Sequence, residues 1–331
     1  MIDAAVDAGA DCVKFQMVFA DEIIHPLTGK VSLPGGKTPL YEHFKRLERD
    51  WDFYRELKEY VEKRGALFLC TPFGTGSAQI LHKLEVKLFK IASPELNHFP
   101  LLEEVSNYDL PVILSTGVST LGDIEKALKI VGDKAVLLHC ITSYPAPYEE
   151  YNLRVIPNLM AIFGLPVGVS DHSTDPVLVP TLSAAVGGCI IEKHFTLSRK
   201  GGGLDDPIAL EPEDFSIMVK SVRKAEEEGY ESTLNRLCTK YGEKCIHSVL
   251  GSGKKRVAPS ERNNYFTTRR SVHAVKFLPA GTVLSRENTA LLRTEKNLRP
   301  GLPPELWDVI IGKKCIRDIP PGEGVVWDDL L

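Results

Sequence analysis

No apolar run in the 331 residues approaches the roughly 18 that would span a bilayer. The start shows no basic n-region followed by an apolar h-region, so no secretory signal is expected. A formal net charge of −4 gives no strong field of one sign, which argues against a general nucleic-acid or membrane-surface role. The seven cysteines do not form a disulfide framework. Cys70, Cys140 and Cys189 lie inside apolar segments, as buried thiols do in a reducing compartment. Cys238 and Cys245 are close in sequence, but no second pair at zinc-site spacing follows. These absences place the protein in the cytoplasm. A His-x-His pair on an early strand is also missing, which removes the ligand set that a metal-dependent hydrolase on a barrel would need.

The composition that is present, 43% hydrophobic and 25% charged, suffices for a full core. The length suits one large domain and one small one. MIDAAVDAGADCVKFQ opens in a helical pattern that ends at Gly9, and the first strand runs from Cys12 to Phe15. Residues 18–47 read as a long polar loop, and Asp50 as the N-cap of a helix ending at Gly65. A beat of apolar strand and amphipathic helix follows: ALFLCTPF (66–73), LFKIAS (88–93), PVILSTG (111–117), AVLLHCITSY (135–144), GVSDHS (168–173) and IIEKHFT (190–196). Near-continuous apolar strands alternating with helices mean a parallel sheet covered on both faces. The expected class is therefore α/β, a TIM (β/α)8-type barrel lacking its first strand, over residues 1–229. Residues 230–268 are polar and read as a linker crossing the surface. The tail, 269–331, alternates as β structure. Within it FLPAGTVLSRENTALL (277–292) and DIPPGEGVVWDDLL (318–331) share a pattern, which implies two related half-units in a small all-β domain.

Barrels of this kind carry their chemistry on the rim formed by the C-terminal strand ends. Here the strand ends supply Lys14, Lys90, Ser93, Ser115 and Ser170, cations and hydroxyls suited to a phosphate and a carboxylate. They also supply Glu95 as an acid or base, Tyr144, and a His on each of two consecutive strands. His172 and His194 could share one borderline divalent cation and leave positions open for substrate. The residues alone thus imply a barrel enzyme acting on a small anionic, phosphorylated substrate with a divalent metal.

VKFQ (13–16), TPF (71–73), FKIASPELNHFP (89–100), ILSTGVST (113–120), LLHCITSYPAPYEEYNLR (137–154), GVSDHS, EKHFTLSR (192–199) and LEP (210–212) resemble the sialic acid synthase family. RRSVHAV (269–275), LRPGLPP (298–304) and IGKK (311–314) are similar to that family's antifreeze-like, or SAF, domain. The resemblance implies condensation of phosphoenolpyruvate with an N-acylated hexosamine to a nonulosonic acid. It implies that His172 and His194 bind manganese, with magnesium as the alternative. Lys14, Thr71, Lys90, Ser93, Ser115 and Ser170 would hold phosphoenolpyruvate, and Gln16, Glu95 and Tyr144 would serve catalysis. Asp205 and Arg299 would meet the sugar, Arg299 arriving from the tail of a partner subunit in a domain-swapped homodimer. The chain departs from the pattern in three places. The family's Glu-bearing first strand precedes the point where this sequence begins, Thr142 stands where Asn is common, and RKGGGLDDP (199–207) replaces the usual form around Asp205. A ligand-binding paralogue without turnover is the alternative reading.

Overall fold

The computed structural model of the chain describes residues 1–33, 36–295 and 297–331. A short helix, Ile2–Asp7, leads into strand β1 (Cys12–Met17). The long loop after β1 contains a hairpin, β2 (Lys30–Leu33) and β3 (Gly36–Pro39), and buries its own small cluster of Val18, Ile23, Ile24, Val31 and Leu40. The barrel strands continue as β4 (Leu67–Pro72), β5 (Phe89–Ile91), β6 (Val112–Ser115), β7 (Ala135–Cys140), β8 (Val167–Asp171) and β9 (Ile191–Lys193). All are parallel: β1 pairs with β4, and β5 through β9 form a five-stranded sheet in sequence order. β4 lies beside β5, so the two sheets make one curved wall, a half-barrel with helices outside.

Local sequence explains the elements. Every residue of β5, β6 and β8 is buried, as strands covered on both faces must be. Asp50 accepts from Phe53 N at 3.0 Å and caps Trp51–Lys63, as its position implies. Thr120 and Asp123 form a reciprocal capping box at the start of Leu121–Val131. Gly168 is required by close approach: a Cβ there would stand 2.2 Å from Ile190 O on the neighbouring strand. Among the described residues β1 and β9 share no ladder. The space between them is a cavity of about 740 Å³, walled by Ile2, Leu69, Ile113, Leu138, Ile190 and Phe215, with polar groups at its upper end.

Residues 230–268 are not the surface linker that their polarity suggests. The helix Pro212–Tyr241 runs into them, kinked at Gly229 (φ 73°), and a second helix follows at Glu243–Leu250. Leu237, Ile246, Val249 and Leu250 are fully buried in the barrel's main core. The apolar stripe is thin, a few residues among many charges, and therefore reads as polar on average while still covering one helix face.

The tail domain has antiparallel β10 (Arg270–Ala274) and β11 (Thr289–Arg293) and a separate core of Val272, Leu278, Leu284, Ile310, Ile319 and Val325. The two similar sequence units meet each other: Leu278 N donates to Ile319 O at 3.0 Å and Ile319 N to Leu278 O at 2.9 Å. Among the described residues no helix is long and apolar enough to cross a membrane.

Two buried histidines tie stability to pH. His273, bonded to Ser271, Thr294 and Gly322 O, is pushed down to about 4 by burial, and His139 to about 3 for the same reason. Both fold as neutral rings, whereas the unfolded chain protonates them near 6.5. The unfolded state then binds more protons, so stability should fall as pH drops from about 6.5 towards about 4. A series of melting curves over that range checks this. A flat profile would contradict it.

Candidate active site

The polar groups gather where the C-terminal ends of the strands form one rim, because a parallel sheet turns all those ends the same way. At its centre lies the Glu192 carboxylate at the end of β9. Its Oε1 receives Lys14 Nζ from β1 at 3.0 Å, Lys90 Nζ from β5 at 3.3 Å and Ser170 Oγ from β8 at 3.1 Å. Lys90, only 2% exposed, also donates to Ser115 Oγ on β6 at 2.8 Å. Burial pulls the Lys90 ammonium below its ordinary value, opposed by Glu192. Burial likewise pushes the Glu192 carboxyl up, but Lys14 and Lys90 outweigh it and hold the group well below the usual carboxylate range. Three strands thus converge cations and a hydroxyl on a single carboxylate, and a fourth adds Ser115 to Lys90. Glu192 is a residue to which the sequence motifs assign no role.

Beside this cluster stand the two histidines. Their ring centroids are 5.4 Å apart, and Tyr144 stacks on His172 at 4.3 Å and meets His194 edge-on at 5.9 Å. His172 Nδ1 lies 2.8 Å from Ile141 O, an arrangement that leaves Nε2 to face the site. Burial and the neighbouring His172 hold His194 well below its ordinary value, so it is a neutral imidazole with a lone pair to give. Asp205 Oδ2 lies 3.6 Å from His194 Nδ1. Burial keeps the Tyr144 hydroxyl protonated. Among the described residues no three His, Cys, Asp or Glu side chains form a metal-holding cluster. The donors present fit a cation held by two imidazoles and completed by water or substrate.

Behind the histidines a buried network fixes their strands. Lys193 pairs with Asp171, both essentially unexposed, at 2.5 Å. Tyr151 OH donates to Asp171 Oδ1 at 2.6 Å and accepts from His172 N at 2.7 Å. Cys140 Sγ approaches His172 Nδ1 at 3.8 Å. Cys140 reads from sequence as a buried thiol, and only the fold brings it and Tyr151 to the ligand pair.

The other expected residues fall in three places. Thr71, opposite Gln16 in the β1–β4 register, is buried with its hydroxyl unpartnered. Gln16 is exposed and lines the cavity with Lys14, Ser170, His194 and Asp205. Ser93 Oγ accepts Gly117 N at 3.0 Å and so braces the loop after β6.

Glu95 and Arg299 do not sit as expected. Glu95 is fully buried and bound by two arginines of the tail domain: Arg270 Nη2 at 2.9 Å, and Arg293 through Nε at 2.9 Å and Nη2 at 2.7 Å. These contacts join the barrel to the tail. Arg299 stays inside the tail domain, donating to Gly324 O at 2.7 Å and Asp329 Oδ2 at 2.7 Å. Within this chain Arg299 is used inside its own tail domain, and Arg293 is the tail arginine that reaches Glu95. The signal was available in part, since Arg270 and Arg293 stand opposite each other at the ends of β10 and β11.

Comparisons with known proteins identify the family and the fold. A model described as the NeuB family matches residues 1–232, and a model described as the SAF domain matches residues 269–331. An uncharacterized protein of Methanocaldococcus jannaschii is 37% identical over 335 residues, spanning 100% of this chain and 89% of its own. The N,N'-diacetyllegionaminic acid synthase of Legionella pneumophila is 32% identical over 342 residues, spanning 100% and 89%. The crystal structure of the spore coat polysaccharide biosynthesis protein SpsE of Bacillus subtilis, 34% identical, superposes with a TM-score of 0.82 over 100% of this chain and 89% of that one.

Proposed function

Since the chain belongs to the NeuB family over residues 1–232, we propose that it joins phosphoenolpyruvate to an N-acylated hexosamine and releases phosphate. The observation that carries this reading is the convergence of Lys14, Lys90 and Ser170 on one carboxylate, with Ser115 bonded to Lys90, next to the His172–His194 pair. An anionic substrate would take the place that Glu192 now fills, and the orphan hydroxyl of Thr71 would gain a partner. The names of relatives support the substrate class, among them the legionaminic acid synthase of Legionella pneumophila.

In the proposed reaction C3 of phosphoenolpyruvate attacks the aldehyde carbon of the open-chain sugar. Water adds at C2, and the tetrahedral intermediate expels phosphate. Held by His172 and His194, a divalent cation, manganese or magnesium, would supply Lewis-acid polarisation of the aldehyde. Lys14 and Lys90 would bind the carboxylate and phosphate and stabilise the charge that grows on the departing group. Tyr144, protonated and stacked on His172, would orient the sugar and donate a hydrogen bond to it. The rim as a whole would hold two substrates in attack geometry.

The test is phosphate release on the purified chain with phosphoenolpyruvate, manganese and a panel of N-acylated hexosamines. Release dependent on both substrates and abolished by a chelator is the expected result. Binding of phosphoenolpyruvate without release for any acceptor would instead establish a ligand-binding protein.

A further inference from the structure

Glu261 is a buried carboxylate in the stretch that sequence reads as linker, and none of its relative exposure remains (0%). Its Oε1 accepts two backbone donors from different barrel strands' loops: Val118 N, after β6, at 2.7 Å and Thr142 N, after β7, at 2.6 Å. Its Oε2 accepts Ala258 N at 3.0 Å. The same stretch adds two more ties to these loops. Lys255 Nζ donates to Thr116 O at 2.7 Å, and Asn264 Nδ2 donates to Thr142 O at 3.0 Å.

What it ties down is strained and tightly packed. Val118 is β-branched, fully buried, and has φ +43°, a strained conformation that persists only where the surroundings impose it. Gly117 beside it has no room for a side chain, since a Cβ would stand 2.1 Å from Thr142 Oγ1 and 2.9 Å from Ser93 Oγ. The left-handed turn at Val118 lets successive N–H groups diverge. Gly117 N goes to Ser93 Oγ, and Val118 N goes to Glu261. This loop begins at Ser115, the hydroxyl that Lys90 engages.

We infer that Glu261 is a positioning residue for the anion subsite. Its carboxylate sets the loop Ser115–Val118 in register with Thr142 and so fixes where Ser93, Ser115 and Lys90 present their donors. Only the identity of the anion, phosphoenolpyruvate, rests on the proposed function. On the sugar side, Tyr144 lies two residues beyond the tied Thr142, so any effect there should be smaller than at the anion donors.

Two variants separate length from charge. Glu261→Asp keeps the charge but is one methylene short, so it cannot reach Val118 and Thr142 together. Glu261→Gln keeps the length and one acceptor oxygen for both N–H groups, and gives up only the bond from Ala258 N. If position matters, Glu261→Asp weakens phosphoenolpyruvate binding, read by calorimetry, up to about 100-fold, the scale of a 1 Å misplacement. Glu261→Gln should stay within about tenfold, and the KM for the hexosamine should change less than phosphoenolpyruvate binding does in both. Hydrogen exchange at the Val118 and Thr142 amides should quicken in Glu261→Asp. The inference is overturned if Glu261→Asp binds phosphoenolpyruvate like the unaltered chain, or if Glu261→Gln is the more damaged of the two. Binding of phosphoenolpyruvate by the unaltered chain without phosphate release would sink the synthase reading alone, while the comparison of variants still decides the role of Glu261. No binding by the unaltered chain would overturn both.

Discussion

Replacing Arg270 with Met should cost about 3–5 kcal/mol, the penalty for leaving a buried ionic partner uncompensated. The Arg270 side chain is fully buried at the junction of tail and barrel. It donates to Glu95 Oε1 at 2.9 Å, Phe73 O at 2.7 Å, Ile23 O at 3.2 Å and Leu291 O at 3.1 Å, and also to Glu22 O. Burial pulls its guanidinium down to about 10, still charged at neutral pH. The planar fork serves several acceptors at once, which a lysine cannot do, so Arg270→Lys should recover little. Removal leaves Glu95 facing Arg293 alone, with barrel carbonyls unsatisfied in a dry junction. The expected outcome is a lower urea midpoint and new protease cleavage between residues 251 and 268 as the tail detaches. A loss below about 1 kcal/mol in Arg270→Met would show that other contacts hold the tail.

Lys90→Met should lower kcat/KM for phosphoenolpyruvate by about 100- to 1000-fold, the usual scale for removing one preorganised charge-stabilising donor. The substitution fits the space, since Met is unbranched and fills irregular buried volumes well. Lys14 remains 3.0 Å from Glu192 to compensate that carboxylate, so the melting temperature should change little compared with the activity. A rate within tenfold of the unaltered chain would remove Lys90 from the chemistry. A large drop in melting temperature together with the rate would mark it as a structural counter-ion of Glu192 instead. Steady-state kinetics beside a melting curve distinguishes the outcomes.

The rim was legible because it depends on local rules. Apolar runs of strand length ending in Lys, Ser or His mark strand ends, and parallel order sends those ends to one face. Lys14, Lys90, Ser115, Ser170, His172 and His194 therefore converge from sequence alone. The half-units of the tail were also visible as a repeated pattern, and they pair at Leu278 and Ile319.

Other parts have no local signature. Motif similarity pointed to Arg299, whose donors are used inside the tail domain, whereas Arg293 reaches Glu95 across 198 positions of sequence. Glu95 looks like a strand-end acid and becomes an anchor only when Arg270 and Arg293 arrive. Glu261 sits in a polar stretch that gives no periodic signal, yet it binds two loops more than a hundred positions away. Sequence by itself determined which residue types stand at the strand ends, because periodicity and chain direction are properties of neighbouring residues. Only the tertiary structure decided which charges meet across the junction of tail and barrel, because burial there makes an unpaired charge or N–H costly and so selects one docking over others.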